Sequence, residues 1–401
     1  MCSNQDSCLP LTQTNVNPRR SACVKCHGTP ALIIRSDDPA WCRSCFLDGC
    51  LHKFKSAFGK TNVVPNGVTV AVAYSGGLCS SATLCILKQV HKLNFKPVLF
   101  HLVEPNNPRE YEDEIASRMR DSGLDYHFFV DHGTNQFTQA RKSCDISKRL
   151  INLTCLDEIE SWSRQLKLVQ CARALGCSYL LLSQCGTGLS VNFVTGVVGG
   201  RGNYAACETA FADHRYGDVV ILRPLYEMMV KELVFFSRYM GLHPLTPQGD
   251  ITNTVLEHPD VSALSRVCDN FVASLQNGGF PSTTRTILST SSKLVRTAED
   301  SVKETSIRCR LCKAPVLPQA DTSDPNALAI ASLAYSRSLS TRVNPTHQCS
   351  YTEGGQCSLG SCSGLCTACM ILWEELPVQL RPSFTALLDT FDIPPTRRLS
   401  N

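Results

Sequence analysis

The chain contains no uninterrupted apolar run approaching the roughly 18 residues that a helix needs to cross a bilayer. Its first twenty residues, MCSNQDSCLPLTQTNVNPRR, lack the basic start and the apolar stretch of a secretion leader. A strong charge of either sign is missing too: net +4 over 401 residues is too mild to announce a nucleic-acid partner by itself. No internal repeat is visible beyond cysteine clusters at both ends. These absences argue against membrane insertion and make a cytosolic (cytoplasmic) or nuclear location the expectation. Disulfides rarely persist there, so the 23 cysteines require another explanation, of which metal ligation is the first.

A hydrophobic fraction of 43% and a charged fraction of 18% describe an ordinary globular protein. The length allows one substantial core plus one or two smaller modules. The positive charge is unevenly placed: residues 1–60 hold eight Lys/Arg against four Asp, equal to the excess of the whole chain. Lys53, Lys55 and Lys60 in this stretch are therefore candidates for phosphate contact, as is Arg201 further on. Ordinary solvated charge is the competing reading for each.

Along the chain, residues 1–20 are polar and Asn/Pro-rich, and disorder is expected there. Residues 21–60 form a small cysteine module ending in a basic stretch. From residue 61 to 277 short apolar runs alternate with helical patterns. Strands are expected at 68–74, 97–103, 126–130, 178–183 and 219–222, with helices at 79–92, 109–121, 156–175, 231–240 and 261–276. Such alternation with nearly all-apolar strands predicts an α/β fold built on a doubly wound parallel sheet covered on both faces. Residues 278–304 are Ser/Thr-rich and read as a linker, and 305–401 as a second cysteine module.

The spacing Cys23-x2-Cys26-x15-Cys42-x2-Cys45 is the most specific signal in the sequence. Each Cys-x-x-Cys turn aims two thiolates at one point, and two such turns complete a tetrahedron suited to zinc. Four thiolates leave no open coordination position, so the site should be structural, with His27 and Cys50 as spares. Near the other end, Cys309, Cys312, Cys366 and Cys369 form a second double pair. The longer gap between these pairs leaves Cys349, Cys357 and Cys362 competing as ligands. Two zinc ions per chain are expected.

Ser75-Gly76-Gly77-Leu78-Cys79-Ser80-Ser81 stands where the first strand becomes the first helix of the α/β region. Backbone N–H groups and a helix N-terminus together make an anion cradle at such a place, with Ser75, Ser80 and Ser81 as hydroxyl donors. These residues resemble the fingerprint of the PP-loop ATP-pyrophosphatase superfamily, Ser-Gly-Gly-x-Asp-Ser/Thr, whose members adenylate a carbonyl oxygen and release pyrophosphate. Cys79 occupies the position of the acid. A second motif of related tRNA-thiolating enzymes, Gly-His-x-x-Asp-Asp, falls at Ser183-Gln184-Cys185-Gly186-Thr187-Gly188, where the histidine and both acids are absent. Without those carboxylates, ATP would bind with less charge compensation and little catalytic help. The two sulfur-handling cysteines of the active enzymes have no counterpart. Cys171 and Cys177 read as small core residues instead.

Paired cysteine turns bracketing a degenerate PP-loop region resemble the cytoplasmic tRNA 2-thiolation protein family, subunit 2. The resemblance runs from about Cys23 to Cys369 and includes Gly199-Gly-Arg-Gly202 and Arg223-Pro-Leu225. It implies an adenine-nucleotide α-hydrolase-like domain flanked by two zinc-ribbon-like modules. It also implies a heterodimer in which an active PP-loop paralogue transfers sulfur to the wobble uridine, position 34, of tRNAs for Lys, Glu and Gln. The sulfur would arrive as a thiocarboxylate on a ubiquitin-related modifier, and this chain would bind RNA without catalysing. Two alternatives stay open: an active adenylating sulfurtransferase with Asp131 or Glu104 as replacement acid, and a zinc-ribbon adaptor that binds protein.

Overall fold

Seven strands form one sheet: β1 (Thr69–Ala73), β2 (Lys96–Val103), β3 (Tyr126–Val130), β4 (Tyr179–Leu181), β5 (Ala212–Tyr216), β6 (Val219–Leu222) and β7 (Thr396–Arg398). They are seen in a computed structural model that describes residues 22–34, 38–90, 94–103, 107–130, 153–245, 263–301, 308–314, 316, 364–390 and 396–398. The spatial order is β5-β6-β4-β1-β2-β3-β7. The run from β6 to β3 is parallel, and β5 and β7 close the two edges antiparallel. Residues 1–20, Glu104, Asp131, Cys349, Cys357 and Cys362 lie outside the described residues.

Successive side chains of a strand point to opposite faces, and the two cores divide accordingly. Ala71, Phe100, Leu102, Leu180 and Ile221 enter one core, while Val70, Val72, Leu99, Leu181 and Leu222 enter the other. Both faces are covered, as the apolar strands require. On the first face lie α4 (Leu153–Ala174), α10 (Thr367–Glu375) and α11 (Arg381–Thr390). On the second lie α1 (Arg43–Thr61), α2 (Leu78–Gln89), α3 (Arg109–Arg120) and α7 (Val230–Tyr239). Between α4 and α7 in the chain come α5 (Gly186–Gly196) and the one-turn α6 (Gly202–Ala205), joined by a π-helical stretch, Val197–Arg201.

One expectation is corrected. The stretch read as a linker, 278–304, contains the 19-residue helix α9 (Thr283–Ser301), packed with α8 (Leu264–Asn277) against α5. Its inward residues are Thr284, Ile287 and Ser291, spaced as one helix face. Two of the three are hydroxyl residues, which masked the period in the sequence. The two cysteine regions near the ends share the cores of the sheet. Phe46, Cys50, Phe54 and Ala57 of α1 are buried in the same core as β1, and Leu372, Leu376, Phe384 and Leu387 of α10 and α11 in the same core as Phe100 and Phe129.

The chain leaves β1 towards β2 and β3 on one side and later returns to β4 on the other. The C-terminal ends of β1 and β4 therefore flank a topological switch point, the usual ligand crevice of open α/β sheets.

Candidate functional site

At that crevice β1 ends in the turn Ser75–Gly77 and α2 begins at Leu78. Gly76 adopts φ +72°, and a Cβ there would lie 2.9 Å from Leu245 Cδ1. Only glycine suits both conditions. The carbonyls of the turn are held in place one by one. His101 on β2 places Nδ1 2.8 Å from the Tyr74 oxygen, and Tyr111 Oη donates to the Ser75 oxygen at 2.6 Å. The Gly76 oxygen accepts from Ser81 Oγ and from the Leu245 amide, both at 2.9 Å. Ser80 Oγ donates to the Gly77 oxygen at 3.1 Å and lies 3.2 Å from Ser75 Oγ. With the Ser80 proton on Gly77, Ser75 is the donor of that last pair. The three hydroxyls expected to serve a phosphate thus donate within the turn itself.

Of the positions of the missing acids, the first holds Cys79 and the two in the second motif hold Thr187 and Gly188. Cys79 sits in the first turn of α2 and Cys185 is the N-cap of α5. Beside them Arg223, 1% exposed, donates from Nε to Gln184 Oε1 at 2.7 Å and from Nη2 to Asp213 Oδ2 at 3.1 Å. Arg215 joins the same carboxylate at 2.8 Å and reaches the Cys312 carbonyl at 3.3 Å. Burial pushes the Asp213 carboxyl up, but Arg215 and Arg223 outweigh it and hold it well below the usual range. The sequence marked Arg223 only as part of a motif. Its role as the buried support of the Gln184–Cys185 corner depends on β5, which pattern reading had missed.

The structure brings both predicted ligand sets together. The sulfurs of Cys23, Cys26, Cys42 and Cys45 lie within 4.8 Å of one another, and so do those of Cys309, Cys312, Cys366 and Cys369. Cys26 and Cys42 sulfurs are 3.6 Å apart, Cys312 and Cys366 sulfurs 3.5 Å. A tetrahedron of metal–sulfur bonds near 2.3 Å has edges of about 3.8 Å, so the donor sets fit a metal ion. The two centres share one local design that the spacing concealed. In each, the first pair lies on a turn closed by a hydrogen bond between residues i and i+5, with a left-handed residue, His27 or Lys313, after the second cysteine. The second pair opens a helix, with Cys42 or Cys366 as its N-cap. Amides of Cys26 and Cys42 lower the Cys23 thiol to about 6, and the Cys312 thiol does the same in direction for Cys309. The spares stay apart: Cys50 is buried in the core, where burial pushes its thiol up to about 12.

The basic candidates fare differently. Arg201 is corrected: its side chain is 8% exposed, paired with Glu158 and stacked over Trp162 with Cζ 5.6 Å from the ring centre. Lys53 pairs with Glu232 and Lys60 with Glu227 at 2.8 Å, both binding α1 to the segment around α7. Lys55 is exposed.

Comparison with known proteins places these features. Residues 263–371 match the family model described as cytoplasmic tRNA 2-thiolation protein 2. The chain is 27% identical to cytoplasmic tRNA 2-thiolation protein 2-A of Xenopus laevis, covering 80% of this chain and 77% of that protein. It is 26% identical to the Bos taurus cytoplasmic tRNA 2-thiolation protein 2, over 90% and 88% of the two chains. Among solved structures it is similar to the U34-tRNA thiolase NcsA of Methanococcus maripaludis, described with its 4Fe-4S cluster. That likeness has a TM-score of 0.54 at 13% identity, covers 77% of this chain and 96% of the other, and concerns the fold. The chain is thus similar to cytoplasmic tRNA 2-thiolation protein 2, to the family model over residues 263–371 and to the two relatives over most of its length.

Proposed function

We propose that this protein serves cytoplasmic tRNA thiolation as the non-catalytic, RNA-binding half of a heterodimer with an active PP-loop paralogue. The complex would 2-thiolate the wobble uridine, position 34, of tRNAs for Lys, Glu and Gln, with sulfur supplied as a thiocarboxylate on a ubiquitin-related modifier. The observation that carries this reading is the crevice at the switch point. It keeps the turn of a nucleotide-binding sheet but has Cys79, Thr187 and Gly188 where metal-holding carboxylates belong, and its serine hydroxyls are engaged on the turn. Adenylation needs charge compensation for transferring phosphates, and this pocket supplies little.

Zinc is the ion that the two four-thiol sets suit best, because four sulfur donors in a tetrahedron match its ligand preference. Bound there it would supply cross-linking of chain segments and no chemistry. RNA contact falls to exposed cations of the N-terminal region, Lys25 and Lys55, with Lys60 able to exchange its surface partner Glu227 for a phosphate. Among the described residues no helix is long and apolar enough to cross a membrane, and a cytoplasmic site of action follows from the proposed role.

The test uses purified full-length chain, alone and co-expressed with the paralogue. Alone, given ATP, tRNA and a sulfur donor, it should release no pyrophosphate, and pyrophosphate release would restore the active-enzyme reading. Filter binding to tRNA should weaken steeply as salt rises, whereas binding that is absent or indifferent to salt would make it a protein adaptor. Metal analysis should find close to two zinc ions per chain.

A further inference from the structure

Three guanidiniums, of Arg201, Arg215 and Arg223, and three carboxylates, of Glu158, Glu208 and Asp213, lie inside the molecule, with no side chain of the six more than 12% exposed. Arg215 is at their centre. It grips both oxygens of Asp213, from Nε at 2.9 Å and from Nη2 at 2.8 Å, and pairs with Glu208 at 3.4 Å. Its Cζ lies 5.6 Å from the ring centre of Trp162, and Arg201, paired with Glu158, lies over the same ring at the same distance. The charges balance, yet taking six ionised groups out of water is unfavourable, and apolar side chains would fill the space more readily. Packing alone therefore does not account for the cluster.

Its two ends lie at two different sites. At one end Arg215 Nη1 donates to the Cys312 carbonyl at 3.3 Å. Cys312 belongs to the C-terminal thiol set and stands on the turn closed by the Cys309 amide on the Ala314 oxygen at 2.7 Å. The Arg310 amide, on the Gly364 oxygen at 2.8 Å, joins this turn to the approach to α10, whose start carries Cys366 and Cys369. Arg215 pins the same turn to strand β5. At the other end Arg223 passes from Asp213 to Gln184, the residue before the N-cap of α5. Consecutive hydrogen bonds thus run Cys312–Arg215–Asp213–Arg223–Gln184, from the cysteine turn to the corner of the crevice.

Resting on the reading that Cys309, Cys312, Cys366 and Cys369 hold a metal ion, we propose that Arg215 is the positioning residue of that centre, and that the buried ion cluster couples metal binding there to the Gln184–Cys185 corner of the crevice. Groups that fix a metal ligand in place set the affinity of the site without touching the ion. Arg215 acts on the backbone of Cys312, and its own orientation is set by Asp213, which Arg223 shares. A change at Gln184 therefore reaches the cysteine turn through three side chains that have no slack, being buried and bonded at both ends. Coupling of this kind is reciprocal, so whatever holds the corner in place also tightens the metal centre.

The experiment titrates zinc-loaded full-length protein with a chelator of known zinc affinity. Thiols freed at each step are alkylated and assigned by peptide mass spectrometry, giving one midpoint for the N-terminal cysteine set and another for the C-terminal set. Arg215→Gln should lower zinc affinity at the C-terminal set by about 10–100-fold and leave the N-terminal midpoint at its parental value. Arg215→Lys, which keeps the charge without the guanidinium fork, should fall between. Gln184→Ala touches neither cysteine set and leaves every charge in place, yet should lower the C-terminal affinity about fivefold or more. General destabilisation would move both midpoints together, so an unmoved N-terminal set separates positioning from loss of stability. Parental affinity at the C-terminal set in Arg215→Gln or in Gln184→Ala overturns the proposal, as does parallel loosening of both sets. A parent chain that takes up no zinc at its C-terminal cysteines refutes the metal reading itself, and with it the role of Arg215.

Discussion

Several single positions here are set by contacts within a few tenths of an ångström. A Cβ on Gly186 would lie 2.5 Å from the Tyr226 carbonyl oxygen, whereas one on Gly188 would find nothing closer than 4.0 Å. The Gly186 amide also donates to the Met228 oxygen at 2.8 Å, so the segment before α7 is pressed onto the start of α5. Gly186→Ala should therefore destabilise the protein by about 1–3 kcal/mol through overpacking. Gly188→Ala, two residues along the same helix, should leave the urea midpoint nearly unchanged. Urea unfolding followed by circular dichroism compares the two. Both glycines fall in the stretch aligned with the degenerate second motif, and the contact with Tyr226 separates them.

Larger units are joined by charges that serve two neighbours at once. Glu232 accepts the Met229 amide at 2.8 Å, capping α7, and also pairs with Lys53 of α1. Asp213 on β5 faces Arg215 and Arg223, with its side chain fully buried. Asp213→Asn would leave two buried guanidiniums short of their countercharge and should cost about 3–5 kcal/mol at neutral pH. The pH dependence has a definite sign. The folded Asp213 carboxyl lies below its unfolded value near 3.9, so its contribution is complete above about pH 4 and falls as pH drops towards the folded value. The difference in denaturant midpoint between parent and variant should be largest at pH 7 and shrink below about pH 4. A gap that grows on acidification would contradict the network.

For the molecule entire, the two cysteine centres share a design but differ in setting. Cys309, Cys312 and Cys369 are at most 1% exposed and sit in the core beneath one sheet face, while Cys26 is exposed at the edge. Loss of metal at the C-terminal centre would leave four thiols in a packed core and release α10 from α4. Cys309→Ser should lower thermal and urea midpoints well beyond Cys26→Ser, by several kcal/mol on the scale of structural zinc sites. A chelator that strips both should melt helices seen in far-ultraviolet circular dichroism. Equal effects of the two substitutions would mean that the buried centre holds nothing together.

Strand order in time, the glycine turn and both sets of metal ligands were legible from residue types and spacing, because each depends on neighbours within a few positions. Periodicity placed β3 at 126–130 and β6 at 219–222 where they are found. What spacing could not reveal depends on distant partners. Arg201 looked like a phosphate ligand until Glu158 and Trp162, some forty residues away, enclosed it. Residues 278–304 looked like a linker because buried threonine and serine carry no hydropathy signal, yet α9 packs along that face. Cys79 and Cys185, 106 positions apart, follow neighbouring strands only because β1 and β4 lie side by side. Local bonding rules act along the chain, whereas burial and pairing act between segments that folding alone brings together.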